Sequence, residues 1–87
     1  MERDLLDELR SDIDRVNKVI LQALNDRLEI ARKIGAEKKK RHLPILDEDR
    51  ERKVINSIIA ENSGPISDDD LASVFRLIMR ISRDIQA

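Results

Sequence analysis

Leu6, Leu9, Ile13, Val16, Ile20, Ala23, Arg27, Ile30 and Ile34 recur at alternating spacings of three and four, the seam of a long amphipathic helix. Between about Arg3 and Arg41 only Gly35 interrupts good helix formers, and a glycine there costs about 1 kcal/mol against alanine. Pro44 drives Leu43 out of helical geometry and closes the element. A second stretch, capped by Asp47, carries Val54, Ile55, Ile58 and Ile59 on one face until Asn62-Ser63-Gly64-Pro65 stops it. Ser67 caps a third, with Asp68, Asp69 and Asp70 at its positive end and Ile66 and Leu71 in hydrophobic-staple positions. Its stripe runs Leu71, Phe75, Ile78, Ser82 and Ile85. The pattern predicts an all-α chain of three helices, at about 4–41, 47–62 and 68–86, the first very long.

That first helix is too long for its protein. Its roughly 39 residues would span about 58 Å. A compact chain of 87 residues has a radius of gyration of only about 12 Å. Most of the seam would then face water unless a second chain covered it. The expectation is an intertwined obligate homodimer with the long helices packed antiparallel. A single long coiled coil would leave the two shorter helices with nothing to cover.

Composition narrows the function. Residues 1–87 are short enough for a single domain. Charged residues make up 40% and aromatics 1%, so the core must be Leu, Ile and Val. A net charge of −1 gives no field for steering toward DNA or anionic lipid. The absence of cysteine excludes disulfides, thiol redox chemistry and thiolate zinc sites. His42 stands alone in a polar loop and reads as a surface histidine, not a metal ligand. No apolar run approaches the ~20 residues of a membrane span, and the charged N-terminus is no signal peptide, so a cytoplasmic protein is expected. The run Lys38-Lys39-Lys40-Arg41 suggests nucleic acid, but the lack of stacking aromatics and a pI of about 5.8 weigh against it.

Polar residues occupy apolar positions in every helix. Arg27 sits in the seam, and Lys38, eleven residues on, shares its face about 16 Å further along. Seven consecutive charges, Asp47 to Lys53, open the second helix, and Asp47 and Glu51 share the face of Val54, Ile55 and Ile58. Ser82 and Gln86 continue the stripe of the third. Each alone reads as a specificity salt bridge or a snorkelling side chain. All three helices doing so together point to a polar pocket inside a bundle. Its cations, Arg27 and Lys38 with Arg10 and Arg50, call for a small anion bearing carboxylates or phosphates. Arg76, Arg80, Arg83, Lys18 and Arg32 read as solvated outer faces. With no nucleophile set, phosphate loop or metal-ligand cluster, an enzyme of this kind must act by positioning and electrostatics.

The stretches LRSDIDRVN, NDRLEIARKIGAEK, LPILDEDRER and FRLIMRISRDIQ, which span nearly the whole chain, resemble the all-helical chorismate mutases. These enzymes rearrange chorismate to prephenate on the route to phenylalanine and tyrosine. The resemblance implies an intertwined dimer of three-helix chains with active sites shared between chains, and neither metal nor cofactor. It implies that Arg10 and Arg27 grip the substrate carboxylates, with Arg50 and Ser82 completing that network. Lys38 and Gln86 would donate to the ether oxygen of the breaking bond. Glu51, supported by the backbone amide of Asp47, would accept from the ring hydroxyl. The chain stops one residue after Gln86. Such domains also occur fused to other aromatic-pathway enzymes, so a fusion or association of that kind is implied as well. Two other readings stay open: an isochorismate-pyruvate lyase on the same scaffold, and a non-enzymatic helical dimerisation or regulatory module.

Overall fold

The computed structural model describes residues 4–87, which form three helices in the expected order. They are α1 (Leu5–Lys40), α2 (Glu48–Glu61) and α3 (Asp68–Gln86). The expected helix start near Arg3 lies outside the described residues. Asp4 is the N-cap of α1, its carboxylate accepting from the Leu6 N–H at 3.2 Å. The same device starts the other two helices. Asp47 accepts from the Arg50 N–H at 3.0 Å, and Ser67 from the Asp70 N–H at 3.1 Å.

α1 ends without a glycine. His42 takes φ 54°, a left-handed conformation that glycine adopts most easily. The His42 N–H donates to the Lys39 carbonyl at 3.3 Å and the Leu43 N–H to the Lys38 carbonyl at 2.9 Å. This pair of reversed bonds satisfies the last carbonyls of a helix. Pro44 prevents the helix from resuming. His42 itself is exposed.

α3 packs against both α1 and α2, whereas α1 and α2 do not pack against each other. A helix with neighbours on two sides needs a face wider than one stripe. Ala72, Met79 and Ser82 are buried, and Leu71, Phe75, Ile78 and Ile85 are half-buried beside them. The expected stripe is therefore one edge of the contact face, which extends around the helix through Ala72 and Met79. On α1 the residues turned toward α3 are small: Ala31 and Gly35 are its buried positions.

The molecule measures 63 × 24 × 16 Å with a radius of gyration of 17.1 Å, far above the ~12 Å of a compact chain this long. Its accessible surface is 7411 Å², against about 5,300 Å² for a compact protein of this mass. Much of α1 is open to solvent: residues 4–26 are exposed throughout. Leu6, Leu9, Ile13, Val16 and Ile20 thus form an open apolar row. Among the described residues, the buried apolar ones are only Ala31, Ala72 and Met79. No described helix is long and apolar enough to cross a membrane.

Candidate active site

Where the C-terminal third of α1 meets α3 and the start of α2, the three helices enclose a cleft of about 370 Å³. Ile30, Ala31, Ile34, Ile45, Val54 and Met79 form its apolar walls. Seven of the expected residues are brought together around it: Arg27, Lys38, Asp47, Arg50, Glu51, Ser82 and Gln86. A volume of this size suits a small molecule.

Each polar group is held by a local cause. The Arg27 Nη1 donates to the Ser82 Oγ at 2.7 Å, and the Ser82 hydroxyl donates back to the Ile78 carbonyl at 2.8 Å. Ser82, itself buried, thereby fixes the guanidinium to α3. The Lys38 Nζ donates to the Ile45 carbonyl at 2.7 Å, which ties the connecting loop to α1. An ammonium has three donors, so this bond leaves two for a ligand. Asp47 enters the cleft because it caps α2, and Arg50 and Glu51 because they occupy the first turn that Asp47 starts. Their neighbours Asp49 and Arg52 pair with each other in solvent.

Gln86 is positioned by what α1 lacks. A Cβ on Gly35 would come within 2.9 Å of both the Cα and the Cβ of Gln86. The missing side chain lets the last turn of α3 lie directly on α1. Lys38 is three residues beyond Gly35 and so on the same face, and it and Gln86 line the same cleft. The Gln86 Oε1 is buried with no hydrogen-bond partner. An unpaired buried amide oxygen costs about 1–3 kcal/mol, a cost that only a hydrogen-bond donor would relieve.

Arg83 corrects the sequence reading. It was expected on a solvated outer face, but it lines the cleft, and its Nη1 lies 2.6 Å from both Glu51 carboxylate oxygens. The wider face of α3 is the reason. Arg83 follows Met79 by four residues and precedes Gln86 by three, so it shares their side of the helix. Taking Met79 as a core position would have found it. Arg76, Arg80, Lys18 and Arg32 are exposed, as expected.

The cleft thus holds four cationic side chains and two carboxylates, a surplus of positive charge suited to a small dianion. Among the described residues no three His, Cys, Asp or Glu side chains gather as a metal site would require.

The sequence profile of the family described as chorismate mutase type II matches residues 9–87. The chain belongs to that family. A bifunctional chorismate mutase/prephenate dehydratase from Aquifex aeolicus (strain VF5) is 37% identical over 78 residues. The alignment covers 85% of this chain and 22% of that protein, so the chain spans about a fifth of its curated relative. The structure of a chorismate mutase (form II) from Thermus thermophilus superposes with a TM-score of 0.94 at 32% identity, covering 95% of this chain and 94% of that one. A conserved hypothetical protein from Pyrococcus furiosus superposes with a TM-score of 0.80 at 32% identity, covering 99% and 100%.

One residue that the family resemblance implies is absent from the cleft. Arg10 is exposed near the far end of α1, and Lys38, 28 positions on, lies about 42 Å from it along the helix. Within a single chain the two do not meet.

Proposed function

We propose that this chain is a chorismate mutase, catalysing the intramolecular [3,3] rearrangement of chorismate to prephenate. The observation that carries the reading is the convergence of Arg27, Lys38, Glu51, Ser82 and Gln86, from three helices, on one cleft with surplus positive charge. Membership of the family and the close structural likeness to a chorismate mutase support it.

In this reaction the ether C–O bond breaks as a C–C bond forms, and no atom or proton leaves the molecule. The protein needs no nucleophile and no base. Arg27, steadied by Ser82, clamps one substrate carboxylate, and Arg50 completes the carboxylate network. These contacts hold the flexible enolpyruvyl arm folded over the ring, so the entropy of reaching the reactive chair is lost on binding. Glu51 accepts from the ring hydroxyl beside the Asp47 amide. As the C–O bond lengthens, negative charge gathers on the ether oxygen, and Lys38 and Gln86 donate to it. A donor aimed at developing charge in a site sheltered from water contributes about 3–4 kcal/mol.

The open row on α1 supports a homodimer in which a second copy covers the seam and supplies Arg10 to this cleft. The surface excess of about 2,100 Å² per chain over a compact protein is of the size that obligate dimers bury. The bifunctional relative supports a further arrangement, in which the domain is joined to or works beside another enzyme of the aromatic pathway.

The test is the loss of chorismate absorbance with the purified chain and no added metal or cofactor, with isochorismate assayed in parallel. Prephenate formation is expected. Unchanged chorismate would leave a helical dimerisation module, and pyruvate release from isochorismate alone would reassign the cleft to a lyase.

A further inference from the structure

We infer that Arg83 is a positioning residue for Glu51, holding its carboxylate at the angle and charge balance that the ring-hydroxyl contact requires. The inference rests on the proposed rearrangement and adds to it a residue outside the set implied by family resemblance.

Geometry is the first support. A single nitrogen, Nη1, stands 2.6 Å from Oε1 and 2.6 Å from Oε2. Contact with both oxygens centres the nitrogen on the carboxylate and sets the direction in which the group points, which one bond would leave free to swing. The two residues come from different helices, the first turn of α2 and the last turns of α3. The bond therefore also fixes how α2 sits on α3.

Placement is the second. Glu51 and Arg83 line the cleft on one side, and on the other a shallow surface depression that includes Glu48, Arg52 and Arg76. Both residues thus border the two hollows. Removing Arg83 exposes more of Glu51 to water, which weakens its electrostatic contacts.

Charge is the third. Glu51 follows Asp47 by four residues, so two carboxylates share one face of the first turn. A dianionic substrate beside that face meets repulsion unless a cation compensates. Arg83 supplies it, at 31% side-chain exposure against 27% for Glu51, where water screens only part of the interaction.

Arg83 touches no reacting atom in the proposed reaction, so its effect must pass through Glu51. The experiment is a double-mutant cycle with chorismate, using the full chain, Arg83→Met, Glu51→Gln and the double variant, with melting curves for all four. Arg83→Met should lower kcat/KM by about tenfold to a hundredfold with little change in melting temperature. In the Glu51→Gln background the same substitution should cost less than about twofold, because the carboxylate it positions is gone. Arg83→Lys should recover most of the loss, since one nitrogen meets both oxygens and an ammonium reproduces that. Additive losses would overturn the inference, as would an active wild type whose Arg83→Met variant matches it. A loss that tracks falling melting temperature in both the Met and Lys variants assigns the pair to stability alone and overturns it too. A wild type inactive on chorismate overturns the parent reading, and this inference with it.

Discussion

Gly35 and Gln86 touch backbone to backbone: a Cβ on Gly35 would stand 2.9 Å from the Gln86 Cα. Gly35→Ala therefore sets two effects against each other. Alanine favours the helix by about 1 kcal/mol, while its methyl group displaces the last turn of α3. The backbone of that turn must shift to make room, so the melting temperature should fall by a few degrees. The Gln86 amide moves with it, and kcat/KM on chorismate should fall by about tenfold or more. Full activity in this variant would show that the close approach does not set the donor.

Gln86→Glu tests the charge that the donor is proposed to meet. An amide donates at every ordinary pH, whereas a carboxyl donates only while protonated. Near neutrality the ionised carboxylate of the variant would repel the ether oxygen, and kcat should drop by about 10²–10³. As pH falls through the pKa of the new carboxyl, the proton returns and activity should rise; the wild type has no such group at that position. Lys38 lowers that pKa and burial raises it, so the midpoint is read from the rate profile. A variant profile parallel to the wild type would remove Gln86 from the role.

Arg10 and Lys38 lie too far apart on α1 to serve one cleft in one chain. Arg10→Ala and Lys38→Ala chains should each be inactive. After subunit exchange at equal amounts, about half the dimers are mixed and each mixed dimer holds one intact site, so about a quarter of wild-type activity should return. No recovery despite demonstrated exchange would exclude a site shared between chains.

Folding and association should be one event. The open row Leu6, Leu9, Ile13, Val16 and Ile20 has nothing to cover it among the described residues of the chain, so melting temperature should rise with protein concentration. Ile13→Glu places a charge in that row and should unfold the chain, read by circular dichroism and sedimentation. A well-folded Ile13→Glu monomer would mean α1 needs no partner.

The helices were legible because their ends are written in local chemistry. Asp47 and Ser67 cap where the sequence places them, and Pro44 and the Gly64-Pro65 pair stop what they should. The seven cleft residues were found partly from polar residues on apolar faces and partly from family resemblance. Arg83 was missed because a single apolar stripe was assumed for a helix that has neighbours on two sides. Gly35 was seen only as a propensity cost, since a residue 51 positions away along the chain gives it its purpose. Periodicity reports which face is inward; it does not report how near the facing backbone will come.

The scarcity of buried apolar residues in the single chain, limited among the described residues to Ala31, Ala72 and Met79, reaches beyond structure to dosage. If a second copy completes the fold, a solitary chain is little protected from proteases, which act on whatever fraction is open. At low abundance the number of assembled catalysts then scales with the square of the number of chains made. Halving synthesis would remove more than half of the activity, and a modest rise in expression would restore it disproportionately.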